Sequence, residues 1–214
     1  MLSDLRPLTV RFSAPAPLQA GDALALLARA DGSVLRNISH LVDVPELPAY
    51  LVTRFEEIVG GGRVHMAGGG DNPLIVLQAP EPTDQNPNAS EKVGKSLWCG
   101  IPAGLAQQIV VDATGLASED AAHLAMGARL ASYRFRRYRQ PREREEETCG
   151  SVLIWSDQPD EAFAIYNRLA GLAEGVELAR DLVNEPPNVL DPGGFVKRVQ
   201  ELKHLGLDVF IHDG

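Results

Sequence analysis

Two consecutive prolines, Pro186 and Pro187, constrain the fold of this chain more than any other feature of the sequence. Neither can donate a backbone hydrogen bond, and the first moves Glu185 out of the α region, so a helix cannot run through them. Asp191 and Pro192 follow. Asp is a preferred residue at the N-cap of a helix, and Pro is a preferred residue at its first position. The sequence therefore predicts a rigid corner between two helices at this point.

Elsewhere, segments with the pattern of buried strands alternate with segments of helical period. Such alternation predicts an α/β fold with a mixed, mostly parallel sheet flanked by helices. The predicted strands are Leu8–Phe12, Asp22–Ala28 (for which a short helix is an alternative), Arg63–Met66, Pro73–Pro80, Gln108–Ala113, Ser151–Trp155 and Leu207–Ile211. The predicted helices are Pro48–Val59, Ser90–Trp98, Ser118–Tyr138, Pro159–Asn184 and Gly194–Leu205.

The longest predicted helix, Pro159–Asn184, has apolar residues at helical spacing. This stripe consists of Phe163, Tyr166, Leu169, Ala173, Val176, Ala179 and Leu182. After the corner only one helix and one strand remain, and such a unit cannot bury two faces of a sheet. We therefore expect the natural chain to continue beyond Gly214.

Charge and cysteine content exclude several classes of protein. The formal net charge is −9, which gives no positive field for nucleic acid or anionic lipid. Cys99 and Cys149 are far apart and form no CxxC pattern, which indicates free thiols in a reducing compartment. The apolar run Ala23–Ala28 is too short for a signal peptide or a membrane span. The expected location is cytoplasmic.

Few side chains have the spacing that catalysis or metal binding requires. No HExxH or GxSxG motif is present, and the five histidines are expected at surface or satisfied positions. These are His40, His65, His123, His204 and His212. The glycine triplets at 60–62 and 68–70 could present amide groups to a phosphate. Because the second triplet precedes a strand, turns flanking a short hairpin are the favoured interpretation.

An arginine-rich segment, Arg134–Arg144, is interleaved with the aromatic residues Tyr133, Phe135 and Tyr138. This combination superficially suits nucleic-acid stacking. However, Glu143 and the three glutamates that start at Glu145 follow at once. A solvated helix end, with cations that complement the C-terminal helix dipole, explains the segment more simply.

Several phrases resemble the leucyl aminopeptidases, the two-metal exopeptidases of the cytosol. The corner phrase ARDLVNEPPNVLDP is the most specific, and GARLASYRFRRYR, SVLIWSD and the helix Glu161–Asn184 match in the same order. The resemblance covers the chain from about Ala121 to its end. Two positions depart from the family pattern. Arg136 lies where the family frequently has an acidic residue, and Asp191 lies where the family often has Thr or Ser before the proline. The signature positions, all structural, are Arg180, Asp181, Asn184, Pro186, Pro187, Asn188 and Pro192.

This resemblance implies an amino-terminal domain similar to the macro-domain fold (residues 1–158). An interdomain helix and the start of an incomplete catalytic domain would follow (residues 159–214). It also implies a homohexamer whose catalytic domains hold two divalent ions (zinc, manganese or magnesium) that activate water. The family's metal and catalytic motifs would lie beyond Gly214, so no residue here is expected to be catalytic, metal-binding or cofactor-binding. The segment alone is therefore expected to be inactive.

Two other functions remain open from the sequence. A free-standing macro-like module could bind ADP-ribose or a related nucleotide, although the glycine triplets are poorly placed for a phosphate loop. An accessory DNA-binding role is the second alternative, and the acidic balance of the chain counts against it.

Overall fold

The computed structural model describes residues 8–28, 65–67, 72–81, 88–102, 104–135, 137–138 and 150–212. Its strands are β1 (Thr9–Ser13), β2 (Asp22–Ala28), β3 (His65–Ala67), β4 (Leu74–Gln78), β5 (Gln108–Asp112) and β6 (Ser151–Trp155). Its helices are α1 (Ala89–Gly100), α2 (Ser118–Ser132), α3 (Pro159–Asn184) and α4 (Pro192–Glu201), followed by a 3-10 turn at Leu202–Leu205.

The six strands form one sheet in the order β1-β6-β5-β2-β4-β3. All neighbours are parallel except β3, which pairs antiparallel with β4. Parallel neighbours need crossover connections, so the alternation of strands and helices in the sequence correctly predicted this α/β fold. The predicted hairpin is confirmed by the β3–β4 pairing, and the strand interpretation of Asp22–Ala28 is correct.

Both faces of the central strands are buried, as expected for parallel strands with continuous apolar runs. In β2 every residue from Asp22 to Ala28 is buried. One face joins the main core cluster through Ala23, Ala25 and Leu27, while Leu24 and Leu26 on the other face are equally inaccessible. The sheet is therefore an internal layer of the fold.

Helices α1 and α2 pack on the core face and contact each other closely. Leu97 and Leu124 are fully buried in the core cluster, which also includes Tyr166 of α3. Two polar links join the helices: Ser90 Oγ donates to Asp120 Oδ1 at 2.7 Å, and His123 Nδ1 lies 2.8 Å from Glu91 Oε1. Buried apolar side chains and polar side-chain pairs thus both hold α1 against α2.

A polar network crosses the amino end of the sheet. Gln108 Oε1 accepts from the Arg11 guanidinium, and Gln108 Nε2 donates to Asp22 Oδ2 at 3.4 Å. Asn72 Nδ2 donates to the backbone oxygens of Gln19 and Asp22 at 2.7 and 2.9 Å. Because these side chains connect strands that are distant in sequence, they help to fix the register of the parallel sheet.

The helix predicted over Ser118–Tyr138 begins at Ser118 as expected, but its predicted carboxyl end is wrong. The helix stops at Ser132, since Tyr133 takes an extended backbone (φ −54°, ψ 130°), and does not reach Tyr138. Arg134 Nη1 donates to the carbonyl oxygens of Ala131 and Tyr133 at 2.8 and 2.9 Å, so a cation does satisfy the helix end. At the amino end, the residue before the helix is Ala117, whose side chain makes no cap, and Ser118 Oγ donates to Glu161 Oε2 at 2.6 Å.

The predicted apolar stripe of α3 is only partly correct. Tyr166 and Ala173 are buried, but Phe163 is 46% exposed, although its ring contacts Phe12. In the second half of the helix, Glu177 and Asp181 occupy the buried positions. Apolar spacing alone missed this face because its inaccessible side chains are acidic.

The predicted strand Leu207–Ile211 is not formed. Within the described part of the chain, this segment is irregular and pairs with no strand of the sheet. The helix before it ends as predicted at Gly206, which has the left-handed φ of +85° that glycine adopts most readily.

The chain divides into two compact units, Met1–Ala173 and Glu174–Gly214, and this division falls within the sequence of α3. The domain boundary predicted between residues 158 and 159 remains a prediction. No helix of the described ranges has the length and hydropathy that a bilayer crossing requires.

Several predicted features lie outside the described residues. These are the helix Pro48–Val59, the glycine triplets at 60–62 and 68–70, residues 136 and 139–144 of the arginine-rich segment, Cys149 and His40.

Candidate functional site at the proline corner

The corner begins where α3 ends, and its last backbone groups are satisfied locally. Glu185 N donates to the Asp181 carbonyl oxygen at 3.1 Å, which extends the helical pattern by one bond. Asn184 Nδ2 folds back to the Arg180 carbonyl oxygen at 2.8 Å. The next residue, Pro186, has no N–H to continue the series. Four signature positions thus cooperate to end this helix.

A tight turn follows the prolines. The Pro186 carbonyl oxygen accepts two hydrogen bonds, from Val189 N at 2.9 Å and from Leu190 N at 3.0 Å. Pro187 and Asn188 lie on the exposed outside of this turn. The chain therefore turns tightly around a single carbonyl group, at the position where the sequence predicts a corner.

Helix α4 begins with the cap that the sequence predicts. Asp191 has an extended backbone (φ −75°, ψ 173°), and its Oδ1 accepts from Gly194 N at 2.6 Å. Phe195 N donates to the Asp191 carbonyl oxygen at 2.9 Å, and Pro192 occupies the first turn, where no N–H is needed. Asp191 thus supplies the cap even though the family pattern often has Thr or Ser there.

The corner and α4 enclose a surface cavity of about 360 Å³. The Glu185 side chain is only 2% exposed and lies at this cavity, where its Oε1 is 4.0 Å from Arg198 Nη2. Arg198 Nη1 is also 3.7 Å from Glu201 Oε2. The cavity is lined by Glu185, Val189, Leu190, Asp191, Gly193, Gly194, Lys197, Arg198 and Glu201.

The charges at this cavity largely compensate one another. Arg198 lies between two carboxylates, one buried and one exposed, so it connects the corner to α4. A buried carboxylate requires such pairing, because an isolated charge is expensive to remove from water. This arrangement stabilises the corner and supplies no nucleophile or general base aimed at an open position.

Buried acidic residues continue from the corner along α3. Glu177, Asp181 and Glu185 are spaced four residues apart, which places them on one helix face, and each is at most 9% exposed. All three take part in interactions within the protein. This row was not predicted from the sequence, although the four-residue spacing of the three acids is visible there.

The four histidines in the described part of the chain do not come together at the corner. His123 pairs with Glu91, His204 Nδ1 contacts the Glu201 carbonyl oxygen, and His212 is exposed. Residue His65 lies in β3, which places it in the sheet. Across the described ranges, no group of three His, Cys, Asp or Glu side chains could hold a metal ion.

The carboxyl ends of the parallel strands are the usual ligand-binding edge of an α/β sheet. At this edge the buried Asp112 accepts from Thr114 N at 3.1 Å and from Thr114 Oγ1 at 2.6 Å. Gly115 N donates to Asp157 Oδ2 at 2.7 Å. These polar groups form internal hydrogen bonds that close the loop after β5.

Comparison with known proteins was made at the level of both sequence and fold. The probable cytosol aminopeptidase of Methylorubrum populi is 41% identical over 116 residues, which are 53% of this chain and 23% of that protein. The probable cytosol aminopeptidase of Rhodopseudomonas palustris is 39% identical over 145 residues, or 65% of this chain and 29% of that protein. The chain thus spans less than a third of the length of these curated relatives. No protein-family model matches the sequence.

Solved structures show the same fold. A tomato leucine aminopeptidase variant superposes with a TM-score of 0.72 at 20% identity, over 95% of this chain and 43% of that one. The leucyl aminopeptidase of Trypanosoma cruzi superposes with a TM-score of 0.62 at 18% identity, over 94% of this chain and 42% of that one. A manganese complex of the bottromycin maturation enzyme BotP superposes with a TM-score of 0.57 at 22% identity, over 89% of this chain and 38% of that one.

The sequence relatives and the structural neighbours agree with the resemblance that the corner phrase indicates. The relatives are named cytosol aminopeptidases, and two of the three structural neighbours are named leucine or leucyl aminopeptidases. In sequence and in fold, this chain is a relative of the leucyl aminopeptidase family.

Proposed function

We propose that this chain is the amino-terminal, non-catalytic portion of a leucyl aminopeptidase, an enzyme that releases N-terminal amino acids from peptides. The main support is the match to probable cytosol aminopeptidases over 23% and 29% of their length, together with the shared α/β fold. In this proposal the partners are the chain's own catalytic domain and further copies in a hexamer. The location is cytoplasmic, as in relatives named for the cytosol.

The chemistry belongs to the catalytic domain in this proposal. Two divalent ions there, manganese, zinc or magnesium, would activate the attacking water. One structural neighbour is a manganese complex, which is consistent with such an ion. The described residues of this chain provide no three-ligand group, and no catalytic step is assigned to them.

The role left to this chain is structural, and the corner is where the geometry supports it. Asp191 caps α4, the Pro186 carbonyl oxygen fixes the turn, and Arg198 lies beside the buried Glu185. Each contact restricts the direction in which α4 leaves the corner. We propose that this rigidity sets the orientation of the catalytic domain that α4 begins.

The direct test is a peptidase assay of the 214-residue chain with a leucine anilide and added manganese or zinc. We expect no turnover above a metal-only blank. A matched chimera should replace the aligned 145 residues of the Rhodopseudomonas palustris relative with the corresponding part of this chain. The chimera should regain metal-dependent turnover and the oligomeric state of the intact relative.

Two outcomes would contradict the proposal. Turnover by the 214-residue chain itself would place catalytic groups within it. A folded chimera that hydrolyses no leucine anilide, while the intact relative does, would show that this chain cannot serve as the amino-terminal portion. The macro-like alternative is tested by calorimetric titration with ADP-ribose, for which we expect no binding heat. Micromolar binding would favour a nucleotide-binding module instead.

A further inference from the structure

The loop between β5 and α2 presents backbone N–H groups at the carboxyl edge of the sheet. In this loop, Leu116 N donates to the Ala113 carbonyl oxygen at 3.1 Å, which closes a turn around Thr114 and Gly115. Gly115 takes the left-handed φ of +83°. Successive N–H groups in turns of this kind form concave surfaces that bind anions. The backbone N–H groups of Thr114 and Gly115 provide the donors of such a surface, here called the amide cradle.

The amino end of α2 adds to the positive character of this edge. Ala117 makes no side-chain cap, and the first bond of the helix is donated by Ala121 N to the Ala117 carbonyl oxygen at 3.0 Å. The N–H groups before Ala121 have no partner within the helix, and the helix dipole places a partial positive charge there. Ser118 Oγ donates to Glu161 Oε2 at 2.6 Å, so one carboxylate already lies at this helix end.

Carboxylates of the protein itself also occupy the amide cradle. Asp157 Oδ2 accepts from Gly115 N at 2.7 Å, although Asp157 lies 42 residues further along the chain, after β6. Asp112 Oδ1 accepts from Thr114 N at 3.1 Å. A carboxylate that accepts from backbone N–H groups has the charge and the bond geometry of a bound oxyanion. Each donor of the cradle therefore bonds to an internal anion.

An independent observation shows a surplus of donors at this end of the sheet. Trp155 lies directly opposite Asp112 in the β5–β6 pair, so the two side chains are on the same face of the sheet. Trp155 is 1% exposed, and its Nε1 has no acceptor among the residues that the structure describes. A buried indole N–H normally has a hydrogen-bond partner. This end of the sheet thus has a further donor that the protein's own acceptors leave unused.

We propose that the amide cradle is an anion-binding site that the protein keeps closed with its own carboxylates, and that Asp157 is the internal ligand. Asp112 is buried and accepts two bonds from Thr114, whereas Asp157 is exposed. Asp157 is therefore the carboxylate that an external anion can replace. The ligand class is a small oxyanion such as inorganic phosphate. The closed cradle excludes such anions from the edge where α/β proteins usually bind ligands.

Removal of the internal ligand tests the proposal. The full 214-residue chain should be titrated with inorganic phosphate at constant ionic strength, with the Gly115 amide signal followed by NMR. In Asp157→Ala the signal should shift to saturation with a Kd of about 1 to 20 mM. The unchanged chain should bind at least about tenfold more weakly, because a carboxylate in the same molecule competes at a high effective concentration. The measurement involves neither metal nor peptide, so its result does not depend on the proposed aminopeptidase function.

Two further variants separate the cradle from net charge and from misfolding. Asp160→Ala removes the same charge from the exposed first turn of α3 and should behave as the unchanged chain. Asp157→Asn keeps a side-chain oxygen for Gly115 N but loses the charge, so its Kd should lie between those of the Asp157→Ala and unchanged chains. It also provides the test if Asp157→Ala does not fold.

Three results would overturn the proposal. The first is a folded Asp157→Ala or Asp157→Asn chain in which phosphate leaves the Gly115 signal unmoved. The second is saturable binding by the unchanged chain that is as tight as binding by Asp157→Ala, since Asp157 would then not close the cradle. The third is equal binding by Asp160→Ala and Asp157→Ala, which would assign the effect to net charge.

Discussion

Gly94 of α1 lies against Leu124 of α2 with no room for a side chain between the two helices. A Cβ built on Gly94 would be 1.9 Å from the Leu124 carbonyl oxygen. The contact is reciprocal, because a Cβ on Gly127 of α2 would be 2.1 Å from the Glu91 carbonyl oxygen. The two helices therefore touch backbone to backbone, and the core beneath them depends on both glycines.

The first prediction concerns this contact. Gly94→Ala should lower the free energy of unfolding by about 3 kcal/mol, because backbone atoms must move apart to admit the methyl group. Trp98 and Trp155 are both buried in the first unit, so tryptophan fluorescence during urea unfolding reports on it. Gly171→Ala is the matched control. That helical glycine has no atom within 4 Å of a built Cβ, and alanine there should stabilise by up to about 1 kcal/mol. Equal changes in the free energy of unfolding for Gly94→Ala and Gly171→Ala would contradict the close contact between α1 and α2.

The second prediction concerns the buried Asp112 at the end of β5. Thr114→Val keeps the shape of the side chain but removes the hydroxyl that donates to Asp112 Oδ1 at 2.6 Å. The loss should cost about 2 kcal/mol, as expected for a hydrogen bond to a buried carboxylate. Thr9→Val on the exposed part of β1 should change stability by less than about 0.5 kcal/mol. Tryptophan fluorescence in urea again provides the measurement, and a neutral Thr114→Val would show that the loop does not need this bond.

The third prediction concerns the cap of α4. Asp191→Ala removes the acceptor of the Gly194 amide and should destabilise the helix by about 1 kcal/mol. The exchange rate of the Gly194 amide hydrogen, followed by NMR, should then rise about fivefold. Asp191→Asn retains a side-chain oxygen and should leave the rate nearly unchanged. If the two variants exchange at the same rate, the side chain is not the cap.

The fourth prediction compares two adjacent glycines at the corner. A Cβ on Gly194 would be 2.9 Å from the Val189 carbonyl oxygen, whereas one on Gly193 would meet only Asp191 Oδ1 at 3.6 Å. Gly194→Ala should therefore destabilise α4 by about 1 to 2 kcal/mol, while Gly193→Ala should be neutral or slightly stabilising. Amide exchange along residues 195–201 distinguishes the two. Faster exchange in Gly193→Ala than in Gly194→Ala would contradict the geometry of the turn.

Local chemistry was sufficient to predict the corner. Pro186 cannot donate, Asp191 caps the next helix, and Gly206 ends its last turn, and each effect acts within a few residues. Strand positions were equally predictable, since Asp22–Ala28 and Ser151–Trp155 form strands over the predicted residues. A continuous apolar run indicates a strand that is buried on both faces, as in parallel sheets generally.

The sequence by itself thus determined where most elements begin and end, the α/β class and the relationship to the aminopeptidases. Only the tertiary structure decided which side chains are buried and which segments find partners. It placed acidic Glu177 and Asp181 on a buried face, and among the described residues it gave Leu207–Ile211 no neighbouring strand. The physical reason is that burial and strand pairing depend on residues distant in the chain. A cap or a turn, by contrast, is complete within its own few residues.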